Sequence, residues 1–278
     1  MDLLARLLSD QISRSQGVAV AVENRPGAGT IIGTEAVSRA APDGATILIQ
    51  AAPLIIAPHL RKLNYDPLTF EPICHLADTS MFIVVNSASS YRTLADLLNE
   101  ARAKPGELTM ASVGPATTLH IASERFRRTA NVNMTYVPFS GTAPAVNALL
   151  GGHVTAVFAE YPIVVEQVKA GKLRALATAS RQRIEALRDV PTIAESGYKD
   201  YEAAIWYGAF APAKTPEGTT AQLASWFTAA LQAPEAKPKF AAQGLFPVGA
   251  CGMKFAAHIH EQYDEYGRTI REANIKPQ

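Results

Sequence analysis

Three short stretches of this chain carry residue types suited to holding an anion. They are Gly27 to Thr30, Gly114 to Thr118 and Ser140 to Ala143. Each reads as a small-residue turn leading into a helix. Unpaired backbone N–H groups and the positive end of a helix dipole meet at such a place, and together they hold a carboxylate or phosphate without a basic side chain. The hydroxyls of Thr117, Thr118, Ser140 and Thr142 have two readings, as helix caps or as ligand donors. His120 stands beside Thr117 and Thr118. It reads first as a histidine packed at a helix end and second as a base near a hydroxyl. Glu160 follows an apolar strand, at an edge where a ligand amine or hydroxyl would find an acceptor. A solvated loop glutamate is the competing reading.

Other chemistries lack their residues. The run Gly27-Ala28-Gly29-Thr30-Ile31-Ile32-Gly33 has one residue too many for a dinucleotide fingerprint. Neither a GxxxxGK[ST] loop nor a GxSxG elbow occurs. There is no HExxH, and His59, His75 and His153 are isolated, so no metal site is expected. His258 and His260 lie two apart, which puts them on different faces of a helix as a solvated pair. Cys74 and Cys251 form no CxxC motif; whether they pair with each other stays open. A net charge of +1 offers no field for nucleic acid.

The elements that must position these residues alternate between strand and helix. Asp2 reads as the cap of a helix with Leu3, Leu4, Leu7, Leu8 and Ile12 on one face, ended by Gly17. Val18 to Val22 reads as a strand, Ile31 to Ala40 as a helix and Thr46 to Ile49 as a buried strand. Phe82 to Val85 is a strand, and Thr93 caps a helix over Leu94 to Ala103. Strands follow at Leu108 to Val113, Met134 to Phe139, Val154 to Ala159 and Leu173 to Thr178. Helices between them cover Thr117 to Arg127, Pro144 to Leu150 and Pro162 to Lys169. This regular alternation predicts an α/β fold with a largely parallel sheet, whose strands bring their carboxyl ends to one edge. Trp206, Tyr207 and Phe210 stand on a further strand, as core or as the wall of a cleft. A chain of 278 residues without an 18-residue apolar run suits one large or two medium domains and no membrane span.

Several runs together resemble one family, the tripartite tricarboxylate transporter receptors, also known as TctC or Bug solute-binding proteins. They include Val22 to Gly29, Ala41 to Gly44, Ser112 to Gly114, Phe139 to Ala145 and Leu150 to Gly152. Ala170 to Ala177, Val190 to Gly197 and Ala211-Pro212 continue the match in order and spacing. The resemblance implies a two-lobed periplasmic-binding-protein-like fold of type II with a hinge. It implies a monomeric periplasmic receptor, without cofactor or catalysis, that closes over a small organic carboxylate and delivers it to a membrane permease. Carried over residue by residue, the first lobe would contribute Asp2 and the loop at Ala52 and Pro53. The second would contribute Ser112, Gly114, Ala116, Thr117, Thr118, His120, Phe139, Ser140, Gly141, Thr142 and Ala143. The lobes are expected at 1–88 with 212–278 and at 89–211.

Two departures from the family pattern matter. The chain opens without a signal-peptide pattern, at the aspartate that usually follows the family's first strand, so the first lobe is expected to lack that strand. Ala159 stands where an aspartate often anchors ligand amines, which makes an amino-acid ligand less expected unless Glu160 compensates. Alternatives are a truncated receptor that no longer binds, and an enzyme on the same fold with His120 or Glu160 as base.

Overall fold

The computed structural model describes residues 1–114 and 117–276. The chain divides into two compact units: Met1–Asp78 with Trp206–Gln278, and Thr79–Ile205. The crossings fall inside strands, whereas the sequence expectation sets them at 88/89 and 211/212.

The first unit is discontinuous in sequence. Helix α1 (Asp2–Gln16) buries Leu4, Leu8 and Ile12, spaced by four, and Gly17 ends it at φ 67. That left-handed value suits glycine, which has no Cβ to clash. The buried face of α1 packs on Leu223, Phe227 and Leu231 of α8 (Glu217–Gln232). Helix α2 (Ile31–Ser38) follows a loop with positive φ at Ala28, Gly29 and Thr30. Strand β1 (Leu48–Ala51) then leads into α3 (Pro53–Ile56). β1 pairs antiparallel with β7 (Ala204–Ala211), Leu48 opposite Phe210 and Ala51 opposite Tyr207. β7 lies between β1 and the long strand β2 (Glu71–Asn86). β8 (Leu245–Cys251) pairs with β2 as well, after α9 (Lys237–Ala242) and before α10 (Met253–Glu272). Cys74 of β2 and Cys251 of β8 form a disulfide that bridges 177 positions of sequence.

Val18 to Val22 is not a strand. Its side chains alternate in exposure, and Val18 and Val20 do pack against the core. The alternation that suggested a strand is present, but no ladder of hydrogen bonds joins the segment to a neighbour. Asp2 is likewise not a cap: Met1 takes that position, and Asp2 is the first helical residue.

An aromatic cluster fills part of the first unit. Trp206 and Phe210 are buried, with Phe210 and Phe255 centroids 5.2 Å apart. His75 stacks on His258 at 4.9 Å and meets Asp78 at 2.6 Å. His258 is therefore half-buried rather than solvated, and burial lowers its pKa below the ordinary value. Its helix is amphipathic, and position 258 falls on the flank of the face that buries Phe255 and Ile259.

The second unit carries the regular alternation. The latter half of β2 pairs antiparallel with β5 (Ala156–Glu160), Val84 opposite Val157, and with β6 (Leu173–Thr178). β3 (Thr109–Ser112) runs parallel to β5 and to β4 (Thr135–Pro138). The sheet of this unit is thus mixed, not largely parallel, because β2 runs against its neighbours. Helix α4 (Leu94–Ala103) opens with a complete capping box between Thr93 and Asp96. α5 (Thr118–Thr129), α6 (Thr142–Leu150) and α7 (Tyr161–Lys169) follow β3, β4 and β5 in turn. Val146 and Leu149 of α6, and Val164 and Val165 of α7, share a core with Val84, Ala111 and Val157 of the sheet.

Candidate functional site

Parallel pairing aligns the ends of β3, β4 and β5, so one sheet edge of the second unit receives three loops and three helix N-termini. Ser112 ends β3, Pro138 ends β4 and Glu160 ends β5. The first two loops are tied together: the Phe139 N–H donates to the Ser112 carbonyl at 2.8 Å. Ser112, Gly114, Thr117, Thr118, His120, Phe139, Ser140, Gly141, Thr142, Ala143 and Glu160 therefore gather at one edge. Ala116 lies outside the described residues.

The hydroxyls at this edge have different jobs. Thr117 caps α5, accepting from the His120 N–H at 3.2 Å and donating to the Gly114 carbonyl at 2.7 Å. Thr118 is buried. Ser140 is exposed, and its hydroxyl has no hydrogen-bond partner among the described residues. α6 begins without a side-chain cap, and so does α7. Helices leave their first N–H groups unpaired within the helix. These two ends consequently present free donors and positive dipole ends, while Ala143 is exposed beside them.

His120 is fixed from one side. Its Nδ1 lies 2.8 Å from the Ser112 hydroxyl, and its ring centroid is 5.1 Å from that of Tyr136. Burial lowers its pKa, with Arg127 adding to the effect and Glu124 opposing it, so the ring is neutral at pH 7. Behind it, the Tyr136 hydroxyl meets Ser123 at 2.9 Å, and the buried Glu124 pairs with Arg127 at 3.0 Å. Burial raises the Tyr136 pKa, so the phenol keeps its proton. Ser112, His120, Ser123 and Tyr136 line a small recess.

Glu160 occupies the cap position of α7, and it is half-buried rather than solvated. Its side chain makes no capping bond to α7. Its carboxyl is stabilised by its own backbone N–H and by Thr142, while Oε2 is buried without a partner. Burial raises its pKa, opposed by hydrogen bonds from its own backbone N–H and from Thr142.

The remaining expected residues belong to the first unit. Asp2 is exposed, with its carboxylate bonded to Arg6 at 3.0 Å and Asn24 at 2.6 Å. These partners lower its pKa. Ala52 is fully buried, and its carbonyl accepts from Ile55 and Ile56 at 2.9 Å. Pro53 opens α3. No group of three metal-ligating side chains gathers among the described residues. Sequence reasoning missed the N-terminus of α7 as a third donor end, although Pro162 near the helix start signalled it.

A family model described as the tripartite tricarboxylate transporter family receptor, TctC, matches residues 4–275. The chain belongs to this family. BugT of Bordetella pertussis is 33% identical over 279 residues, which is 99% of this chain and 86% of that protein. A solved periplasmic binding protein, BugD, is 32% identical, with a TM-score of 0.85 over 100% of this chain and 94% of its own. A structure from R. palustris with adipate is 29% identical, with a TM-score of 0.88 and the same coverage of 100% and 94%. The fold is that of two-lobed periplasmic binding proteins, and the family is one of solute receptors. No helix among the described residues is long and apolar enough to cross a membrane.

Proposed function

We propose that this chain is a periplasmic receptor that captures a small organic carboxylate and delivers it to a tripartite tricarboxylate-type permease, without catalysing a reaction. The observation that carries the reading is the shared edge of the second unit, where the uncapped α6 and α7 begin beside an unengaged Ser140 hydroxyl. Backbone donors there suit a carboxylate, and adipate in the R. palustris relative is a ligand of that class. The residues assigned to the ligand are Ser112, Gly114, His120, Phe139, Ser140, Gly141, Thr142, Ala143 and Glu160, with Asp2, Ala52 and Pro53 of the first unit carried over from the family pattern. The disulfide supports an oxidising, extracytoplasmic location.

The Ser112–His120 contact has the form of a nucleophile and a base, so the enzyme alternative has one observation in its favour. A triad needs a third group that orients the histidine, and no such bond to His120 occurs among the described residues. Incubation with di- and tricarboxylates, followed by calorimetry and proton NMR of the mixture, tests the proposal. Saturable binding with unchanged ligand supports it. Turnover, or no binding by any carboxylate, overturns it.

A further inference from the structure

Resting on the carboxylate-receptor reading, we infer that Glu160 sets ligand class: its unpartnered Oε2 accepts a hydrogen bond from a proton-bearing substituent, so the receptor favours carboxylates that carry an amine or a hydroxyl. Glu160 ends β5 opposite Met81 of β2 and stands at the start of α7. A glutamate at that place ordinarily caps its helix, pairs with a cation or faces water. This one makes no capping bond, and Oε2 is buried without a partner. No lysine, arginine or histidine among the described residues pairs with it. Thr142 and the residue's own backbone N–H are the donors that stabilise the carboxylate from within the protein.

A carboxylate oxygen shut away from water without a donor is costly, and proteins rarely leave one so without a functional reason. Thr142 opens α6, so the helix end assigned to the ligand's carboxylate adjoins the acceptor. A ligand that offers a carboxylate to α6 and a donor to Glu160 satisfies both at once. An ammonium does so better than a hydroxyl, because it also offsets the burial of the negative charge. An unsubstituted diacid brings only more negative charge. Ala159 provides no polar group at the preceding position, so Glu160 alone supplies this acceptor at the end of β5.

The test is calorimetry on the full chain with matched ligands: succinate, malate and aspartate, then glutarate with glutamate, and adipate with 2-aminoadipate. The expected order at the best-fitting length is amine, then hydroxyl, then unsubstituted acid. Glu160→Gln should weaken the amine ligand on the order of tenfold to a hundredfold and leave the unsubstituted acid within about threefold. The free variant should melt no lower than the wild type, since a neutral amide replaces a buried, unpartnered carboxylate. Equal or tighter binding of the unsubstituted acids overturns the role of Glu160 while the receptor reading stands. The same holds if the variant keeps the wild-type ranking, or melts lower with its ranking unchanged. If no ligand in the series binds the wild type, the receptor reading and this inference both fail.

Discussion

The Ser112 hydroxyl lies 2.8 Å from Nδ1 of His120, and the His120 N–H in turn donates to Thr117. The side chain and the backbone of one histidine are thereby held by the two ends of a single loop. Thr117 has both its hydrogen-bonding roles filled inside the protein, whereas Ser140 has neither filled. Two hydroxyls that look equivalent in sequence should answer mutation differently. Ser140→Ala should leave the melting point unchanged and weaken carboxylate binding by about 1–2 kcal/mol. Thr117→Ala should lower stability by about 1 kcal/mol through loss of the cap. Thermal melts and calorimetry on both variants check this. A Ser140 variant with full affinity would move the ligand away from α6.

Acid should destabilise the fold through three half-buried histidines. Burial lowers the pKa of His59, His120 and His258 below the ordinary value of 6.5. The unfolded chain then binds more protons than the folded one just below pH 6.5, so stability falls as pH falls. The loss begins near 6.5 and is complete once pH has dropped through the folded values. Glu160 runs the other way: its pKa is raised from 4.5, so its contribution is full below 4.5 and is lost as pH rises through the folded value. Ring-proton NMR should place the three histidine midpoints below 6.5. A His120 midpoint at or above 6.5 would contradict its neutral state at the site.

Gly208 should tolerate no side chain. A Cβ there would overlap Cζ of Phe255, which belongs to the aromatic cluster with Trp206 and Phe210. Gly208→Ala should cost about 1–3 kcal/mol by overpacking. Adding Phe255→Leu should recover part of that loss, because the residues are in contact and their effects do not add. Denaturant melts of the two single variants and the double variant give the coupling. Strict additivity would place the ring elsewhere.

The disulfide should matter more than the size of the chain suggests. It joins two strands of the first unit across 177 positions of sequence. Reduction, or Cys74→Ser with Cys251→Ser, should lower stability by about 2–5 kcal/mol. Thiol titration of the unfolded, unreduced protein should find no free thiol. Two free thiols would remove the bridge.

The second unit was largely legible in the sequence because its signals are local. Thr93 and the spacing of Leu94, Leu97, Leu98 and Ala101 define α4 to the residue. Gly and Pro punctuate each strand-to-helix turn, and parallel pairing follows from the alternation of β3, β4 and β5. The first half of β2 was not legible. Residues 73–77 are buried on both faces, so the period-two pattern of a half-exposed strand is missing. Val18 to Val22 has that pattern and no ladder. At the site, the turn residues were visible, but the contact between Thr142 and Glu160 joins positions 18 apart (160 − 142) in different elements. Whether Thr117 caps or binds is likewise decided by distances that spacing does not encode.

The bridge between Cys74 and Cys251 has a consequence for the order in which the protein becomes complete. The whole second unit, Thr79–Ile205, is translated between the two cysteines. Cys74 therefore has no partner cysteine in the chain until that entire unit has emerged. Oxidation can only follow the arrival of β8, so the closed bridge records that the last segment of the first unit has joined the first.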